Sequence, residues 1–422
     1  MKKYLFLLAT AAIAVSCSEN DSFKEIDTQD TVIGFTTYTG KLTRAENSSA
    51  TNKYNLEDYN TTFKVWGYKI VNSIETPVLG AVAGDNNTYT YPGQLVEHKE
   101  ASTEPAVTEG WYYTPVRFWD KSASSYSFYA ASPNEPTGAS WVWDNATKKV
   151  SIANFAITGY NSVTGDPAIE VDSKKVLTSA LTTEDLMIST DVTGHKTYTN
   201  DPVMLDFNHI LSRLNIGVRK ASTLDDYEVK LNSIKVYNMK SNGSFNEALA
   251  SGTDLSSGTI ARWATAPTTP AKFTAGVGYA PASALTITST ATTASTNYQY
   301  VYEGLAIPQS VAYNKTVEVN DYNADATPKH FKLDGTNKSA DSDPYIVIDY
   351  EIWSTGTGAA KLDGYVYYYN LADVFNGDAT TAVNFCEGWQ NTLNITLAPA
   401  AINFDAQVYE WVTKTETGVD IQ

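Results

Sequence analysis

The most constraining feature of this chain is a long succession of short segments in which apolar and polar residues alternate, separated by Gly, Pro, Asn and Asp. Residues 63–68 and 125–130 are clear examples. Alternation with a period of two is typical of half-buried β-strands, whereas long stretches with helical periodicity are scarce. We therefore expect an all-β protein of two β-sandwich domains, with short helices near residues 181–186 or 371–375.

The alternation changes phase near the middle of the chain. Two sets of apolar residues mark the change: Val203, Leu205 and Phe207 in the first, and Leu214, Ile216 and Val218 in the second. A shift of one residue moves side chains to the opposite face, so residues 209–213 are predicted to form a bulge, a bend or a change of sheet. We place an N-terminal sandwich at residues 45–208 and a C-terminal sandwich at residues 209–422. Residues 253–297 are expected to form long loops of the second unit.

The first seventeen residues have the pattern of a secretory signal. Lys2 and Lys3 precede an apolar stretch of 11 residues, 5–15, which is shorter than the ~20 residues that span a bilayer. The box Ala14-Val15-Ser16-Cys17 predicts a lipoprotein signal, residues 1–17, with lipidation at Cys17. In the alternative, the signal is an ordinary cleaved one and the position of Cys17 is chance.

Charge and cysteine content argue against nucleic-acid binding and against a disulfide-stabilised fold. The net charge of −17 repels phosphate backbones, and the chain has no basic stripe, so nucleic acid is not an expected partner. The chain has only two cysteines. Once Cys17 is lipidated, Cys386 has no partner for a disulfide, and we expect it to be a buried, small apolar residue.

Residues 18–44 have the layout of a removable segment. A polar tether, residues 18–30, precedes a predicted strand at residues 31–38 that carries Val32, Ile33 and Phe35. The pair Arg44-Ala45 follows in a polar stretch rich in Ser, Asn and Ala. Exposed loops of this composition are preferred sites of proteolysis, so the loop after the first strand is a candidate for cutting.

The C-terminal tail alternates almost to its last residue. One face carries β-branched residues: Thr413, Thr415, Thr417, Val419 and Ile421. This pattern predicts a strand within residues 412–422. Two interpretations remain open: the strand closes an edge of its own domain, or it pairs with a neighbouring subunit.

A search for catalytic and metal-binding patterns finds little. The motifs His-Glu-x-x-His and Gly-x-Ser-x-Gly are absent, as is a phosphate-binding loop. His98, His195, His209 and His330 are not at metal-ligand spacing, and His209, inside an apolar strand, is expected to be structural. We predict no catalytic residue, metal or cofactor and no enzymatic activity, although the sequence leaves open a carboxylate pair of a hydrolase.

Aromatic residues allow a second interpretation. Trp111, Trp119, Trp141 and Trp143, with the tyrosines beside Trp111, could form a platform on which sugars stack. Their strand spacing favours a place in the core instead. A monomeric, lipid-anchored, glycan-binding surface protein is thus an alternative function, and it requires exposed aromatics such as Trp111 and Trp143.

Several segments together resemble the fimbrillin family of type V pilins, in its fimbrillin-like or Mfa-like variant. In chain order they are Ile33-Gly34-Phe35, Thr43-Arg44-Ala45, Pro115-Val116-Arg117-Phe118-Trp119, Tyr126-Ser127-Phe128-Tyr129-Ala130, Asp185-Leu186-Met187, Val203-Met204-Leu205-Asp206-Phe207, Gly304-Leu305-Ala306-Ile307-Pro308-Gln309, Phe385-Cys386-Glu387-Gly388-Trp389, Ile402-Asn403-Phe404 and Val408-Tyr409-Glu410-Trp411. Each is weak alone, but their order covers nearly the whole chain.

The resemblance implies a protein exported as an outer-membrane lipoprotein precursor, acylated (palmitate) at Cys17, whose mature form lies in a cell-surface fimbrium. It implies two β-sandwiches of transthyretin-like, Greek-key topology. It further implies an Arg-specific protease acting at Arg44-Ala45, loss of the first strand, and donor-strand exchange between fimbrial subunits in a head-to-tail polymer. The expected role is adhesion, with a host or bacterial surface glycan or protein as the ligand. A tip or anchor subunit, rather than a shaft subunit, remains open.

Overall fold

The computed structural model describes residues 31–39, 56, 60–85, 88–103, 105–157, 169–171, 174–176, 184–195, 202–249, 260–264, 277–280, 283–290, 298–311, 321–323, 329–332, 344–376, 383–399 and 403–410. The predicted lipidation site, cleavage site and donor tail lie outside these residues. None of the described helices is long and apolar enough to cross a membrane.

In the described part of the chain, seventeen strands precede the change of phase. They are β1 (Phe35–Thr39), β2 (Thr62–Val71), β3 (Ile74–Leu79), β4 (Val82–Ala83), β5 (Tyr89–Thr90), β6 (Gln94–Lys99), β7 (Ser102–Thr103), β8 (Ala106–Val107), β9 (Gly110–Tyr112), β10 (Ser125–Ser132), β11 (Trp141–Asp144), β12 (Lys149–Ala156), β13 (Ile169–Val171), β14 (Lys174–Val176), β15 (Met187–Ser189), β16 (Val192–His195) and β17 (Val203–His209).

Fifteen strands follow it among the residues that the structure describes. They are β18 (Ser212–Lys220), β19 (Tyr227–Tyr237), β20 (Asn242–Asn246), β21 (Trp263–Ala264), β22 (Val277–Tyr279), β23 (Leu285–Ile287), β24 (Gln299–Ala306), β25 (Gln309–Val311), β26 (Asp321–Asn323), β27 (Lys329–Lys332), β28 (Tyr345–Ser354), β29 (Lys361–Asn370), β30 (Val383–Phe385), β31 (Trp389–Leu397) and β32 (Asn403–Glu410). The described helices are short: α1 (Leu371–Asn376) and 3₁₀ turns at Ser222–Leu224 and Glu247–Leu249. The all-β class and the short helix near residue 371 are therefore confirmed.

Four larger sheets organise these strands. Sheet A has the order β1-β17-β15-β10-β2-β6-β9, with β16 beside β10 and β3 beside β2. Sheet B has the order β11-β12-β20-β21, and sheet C the order β24-β18-β31-β32. Sheet D has the order β22-β19-β28-β29-β27-β26, with β23 beside β19. Because the chain passes from β17 in sheet A to β18 in sheet C, the phase change near residue 210 is a change of sheet, one of the three alternatives that the sequence left open.

Sheet A curls around one apolar core, because its two ends meet. The ring of Phe35 in β1 lies 5.8 Å from that of Tyr113, just after β9, and 6.0 Å from that of Phe63 in β2. Sheet B covers the opposite face of sheet A, where Trp66 stacks on Trp143 at 4.8 Å. Because both faces of sheet A are covered at this point, β2 carries buried apolar side chains on both of its faces.

Sheets C and D face each other across a second core, which makes this part of the protein a β-sandwich. The core joins aliphatic residues of β18 and β31 with those of β19 and β28. A column of stacked tyrosines runs through it, with Tyr350 lying 5.2 Å from Tyr365 and 6.1 Å from Tyr367. The Tyr350 hydroxyl donates to the carbonyl of Ala398 at 2.7 Å, so the buried polar atom is satisfied.

Two strands from the second predicted unit join a sheet of the first one. Strands β20 and β21, which follow residue 209, pair with β12 in sheet B rather than with sheets C or D. Part of the segment 253–297, predicted to be loops of the second unit, thus belongs to a sheet that packs on sheet A. The continuous ranges 45–208 and 209–422 stay a prediction, as does the transthyretin-like topology.

Candidate assembly groove

The first strand occupies an edge of sheet A. Strand β1 pairs in parallel with β17, with Phe35 opposite Val203 and Thr39 opposite Phe207. Sheet A has no further strand beyond β1 among the described residues. An edge strand is bonded along one side only, so β1 can leave the sheet by breaking a single ladder, the one with β17.

The residues just before β1 are held by a second partner. The amide of Ile33 donates to the carbonyl of Arg117 at 2.8 Å, and the amide of Trp119 donates to the carbonyl of Thr31 at 3.0 Å. Val32 and Phe118 are antiparallel bridge partners. Residues 31–33 therefore pair with one lip, residues 117–119, whereas residues 34–39 lie along a second lip, β17, and residues 31–39 fill the space that these two lips border. We call this space the assembly groove.

Alternate residues of the first strand fill the groove. Ile33 is fully buried, and Phe35 and Thr37 are 6% and 4% exposed. The Phe35 ring packs at 6.0 Å from Phe63 and at 5.9 Å from Phe128. Loss of the strand would expose this apolar lining together with the unpaired backbone of β17.

The fit of the strand has one polar defect. The Oγ1 atom of Thr37 is buried and has no hydrogen-bond partner among the described residues. A buried hydroxyl without a partner costs free energy that a methyl group of the same shape does not. The first strand is thus a good but not an optimal occupant of the groove.

The rim of the groove exposes apolar side chains. Val32 is 42% exposed, and its bridge partner Phe118 is 46% exposed. Met204, which lies opposite Thr36 on the other lip, is 59% exposed. Of the three residues predicted for the removable strand, Ile33 and Phe35 therefore belong to the core, whereas Val32 belongs to the rim.

The structure does not describe the remaining predicted site residues. Cys17, Arg44, Ala45 and the alternating tail lie outside the described residues. Lipidation, cleavage and strand donation stay predictions.

His209 is a structural histidine, as expected. Its Nδ1 lies 2.7 Å from Asp185 Oδ2, and both side chains are buried. Asn60 Nδ2 donates to the carbonyl of Asp185 at 2.7 Å and anchors the same segment. Within the described part of the chain, no group of three or more His, Cys, Asp or Glu side chains could hold a metal ion.

The tryptophans considered as a sugar platform are mostly core residues. Trp119, Trp141 and Trp143 are all buried. The Trp143 indole donates to the Tyr68 hydroxyl at 2.8 Å, and the Trp141 indole donates to the carbonyl of Pro133 at 2.8 Å. The glycan-binding alternative required an exposed Trp143, which is wrong, because this side chain of sheet B is packed against Trp66 and Tyr68 of sheet A.

Cys386 is buried, as predicted. Burial raises the pKa of its thiol to about 11, and the neighbouring Glu387 carboxylate adds to this shift. A thiol with such a pKa is a poor nucleophile near neutral pH.

Sequence reasoning missed the second lip of the groove and one buried ion pair. The lip, residues 117–119, pairs with a segment more than 80 positions earlier in the chain. The ion pair joins Arg262 to Glu387. An Arg and a Glu in apolar surroundings are a signal for such a pair, but their distance along the chain gives no indication that they meet.

Solved structures similar to this chain include fimbrial proteins. No family model matches the sequence, and no curated protein matches it. Among solved structures, a fimbrial protein from Bacteroides vulgatus is 15% identical and covers 90% of this chain and 99% of its own, with a TM-score of 0.47. The C-terminally truncated tip fimbrial protein Mfa3 from Porphyromonas gingivalis is 9% identical and covers 84% and 95%, with a TM-score of 0.35. Both TM-scores are below 0.5, so neither structure assigns a function to this chain.

Proposed function

We propose that this chain is a structural subunit of a cell-surface fimbrium, a type V pilus, that polymerises by protease-triggered donor-strand exchange and supports adhesion. The observation that carries the proposal is the position of the first strand. It is an edge strand, it lies in a space bordered by two lips, and it fills an apolar groove with alternate side chains. A groove of this kind can accept a strand from another molecule, since backbone hydrogen bonds give affinity and side-chain pockets give specificity.

Processing frees the groove in this proposal. The lipoprotein signal brings the precursor to the outer membrane, where acylated Cys17 holds it. An Arg-specific protease then cuts between Arg44 and Ala45, five residues after the end of β1. The cut separates the first strand from the rest of the chain, and the strand leaves with the lipid anchor.

Strand donation joins the subunits. The tail, residues 412–422, directly follows β32, which is an edge strand of sheet C. Its alternating pattern suits a groove with pockets at every second position. A donor at one place and an acceptor at another form a heterologous contact, which produces an open filament rather than a closed ring.

Treatment of the purified chain lacking residues 1–17 with an Arg-specific protease tests this function. We expect a new N-terminus at Ala45, found by N-terminal sequencing, together with filaments under negative-stain electron microscopy. Arg44→Ala is the matched control and should give neither. Deletion of residues 412–422 should allow cleavage but abolish filaments.

Other outcomes point to other functions. Clean cutting at Arg44 without filaments would favour a tip or capping subunit. A monomer that resists cutting at Arg44 would contradict the proposal and favour the lipid-anchored glycan-binding protein, which polysaccharide titration would then test.

A further inference from the structure

The direction of the first strand differs from that of its sheet. Strand β1 is parallel to β17, whereas every other described pair in sheet A is antiparallel. Parallel pairing is slightly less stable per residue than antiparallel pairing. An occupant that ran in the opposite direction would make sheet A antiparallel throughout.

The pockets of the assembly groove have a fixed order. In the direction of the first strand, they hold the aliphatic side chain of Ile33, then the aromatic ring of Phe35, then the hydroxyl-bearing side chain of Thr37. The two apolar pockets therefore lie towards the lip formed by residues 117–119, and the threonine position lies opposite Leu205 of β17.

The alternating tail has the same order only when it is reversed. In the chain direction its threonines come first, and Val419 and Ile421 come last. Insertion parallel to β1 that fills all three positions would put a threonine into the pocket of Ile33, which is fully buried, and would bury a hydroxyl there. Insertion in the opposite direction puts an aliphatic residue into each apolar pocket and a threonine at the threonine position.

We propose that residues 412–422 of a neighbouring copy enter the assembly groove antiparallel to β17. This inference rests on the proposed function and adds the direction and register of the exchange. Ile421, Val419 and Thr417 take the pockets of Ile33, Phe35 and Thr37. Gln422 then replaces Val32 beside Phe118, and Gly418 replaces Thr36 beside Met204.

Engineered disulfides distinguish the two directions. The antiparallel register brings residue 422 next to residue 118, whereas the parallel register brings residue 412 there. The double variants F118C/Q422C and F118C/V412C test the two registers. Phe118 is 46% exposed, so its replacement by cysteine should be tolerated. The native Cys386 is buried and should not compete for the disulfide. After Arg-specific cleavage and mild oxidation, we expect F118C/Q422C to form covalent ladders on non-reducing gels and F118C/V412C to remain monomeric.

A separate readout keeps this inference distinct from the proposed function. Reduced samples are examined by electron microscopy, so polymer formation is scored without the disulfide. Polymers that cross-link only through V412C, or through neither variant, would overturn the antiparallel register and leave the fimbrial function standing. Absence of polymers in the reduced samples would count against self-polymerisation by strand exchange and would leave the register to the peptide experiment.

A peptide tests the register even without polymers. Synthetic peptides of residues 412–422, carrying Q422C or V412C, are added to the cleaved F118C variant. We expect only the Q422C peptide to form a disulfide, and the opposite preference or no reaction would overturn the register. Val419 is smaller than the Phe35 that it replaces, so Val419→Phe in the Q422C peptide should increase the cross-linked yield.

Discussion

Arg262 and Glu387 form a buried ion pair between sheet B and the turn before β31. Arg262 Nε donates to Glu387 Oε2 at 2.8 Å, and Nη2 donates to the same oxygen. The side chains are 7% and 0% exposed. Glu387 Oε1 has no partner among the described residues, so the carboxylate is only half satisfied.

The neighbours of this pair tie it to the link between sheets A and C. The indole of Trp263 donates to the carbonyl of Ile210 at 2.7 Å. The amide of Gly388 donates to the carbonyl of Leu211 at 2.9 Å. The ion pair thus stands beside residues 210–211, where the chain leaves one sheet for the other.

Removing one member of the pair should destabilise the protein strongly. Arg262→Met leaves the Glu387 carboxylate buried without a counter-ion, and such changes cost about 3–5 kcal/mol. The free energy of unfolding, measured by urea denaturation, is the readout. The double variant R262M/E387L removes both charges and should recover most of the loss. A single variant as stable as the native chain would contradict the importance of the pair.

The stability contributed by Glu387 should depend on pH. Burial raises the pKa of Glu387 from its ordinary 4.5 to about 7, although the Arg262 guanidinium acts in the opposite direction. Between these values the folded state keeps a proton that the unfolded state releases, so stability falls as pH rises through this window and is constant above it.

The variant E387Q measures this effect because an amide does not titrate. Relative to E387Q, the native chain should lose roughly 3 kcal/mol of stability between pH 4.5 and pH 7. Urea denaturation of both proteins at intervals of half a pH unit provides the curve. Parallel curves for the two proteins would show that the carboxylate keeps its ordinary pKa.

Thr37→Val should stabilise the precursor. The change removes a buried hydroxyl without a partner and keeps the shape of the side chain, so we expect a gain of about 1 kcal/mol. Thermal unfolding of the uncleaved chain is a suitable measurement. Thr36→Val, at a position that is not buried, is the matched control and should change stability by less.

Phe35→Ala should loosen the first strand. The substitution leaves a cavity beside Phe63 and Phe128 and should cost about 3–5 kcal/mol in the uncleaved chain. Val32→Ala, on the exposed rim, should have a much smaller effect. Hydrogen exchange of the amides in β17 would report the loosening directly, and unchanged protection there would argue against a close-packed strand.

Local patterns in the sequence predicted a large part of this fold. The alternation of residues 125–130 predicted a strand, and β10 covers residues 125–132, with Tyr126 and Phe128 buried and Ser125 and Ser127 only partly so. The phase change near residue 210 predicted a bulge, a bend or a change of sheet, and the passage from β17 to β18 is a change of sheet. These predictions succeed because the side-chain period of a strand depends only on neighbouring residues.

Pairing over long distances was not predictable in the same way. The return of β20 and β21 to sheet B leaves no local signal, since their residues alternate like those of any other strand. The same holds for the contact of Val32 with Phe118 and of Arg262 with Glu387. Such partners are selected by the packing of whole sheets.

The sequence by itself therefore determined the all-β class, the apolar face of the first strand and the burial of His209 and Cys386, because hydrophobic periodicity is a local property. Only the tertiary structure decided that the first strand is an edge strand that lines the assembly groove, that its direction is parallel in an otherwise antiparallel sheet, and that Trp143 of sheet B is buried against sheet A. These features depend on which distant strands bury each other's apolar faces, and many pairings satisfy the same local alternation.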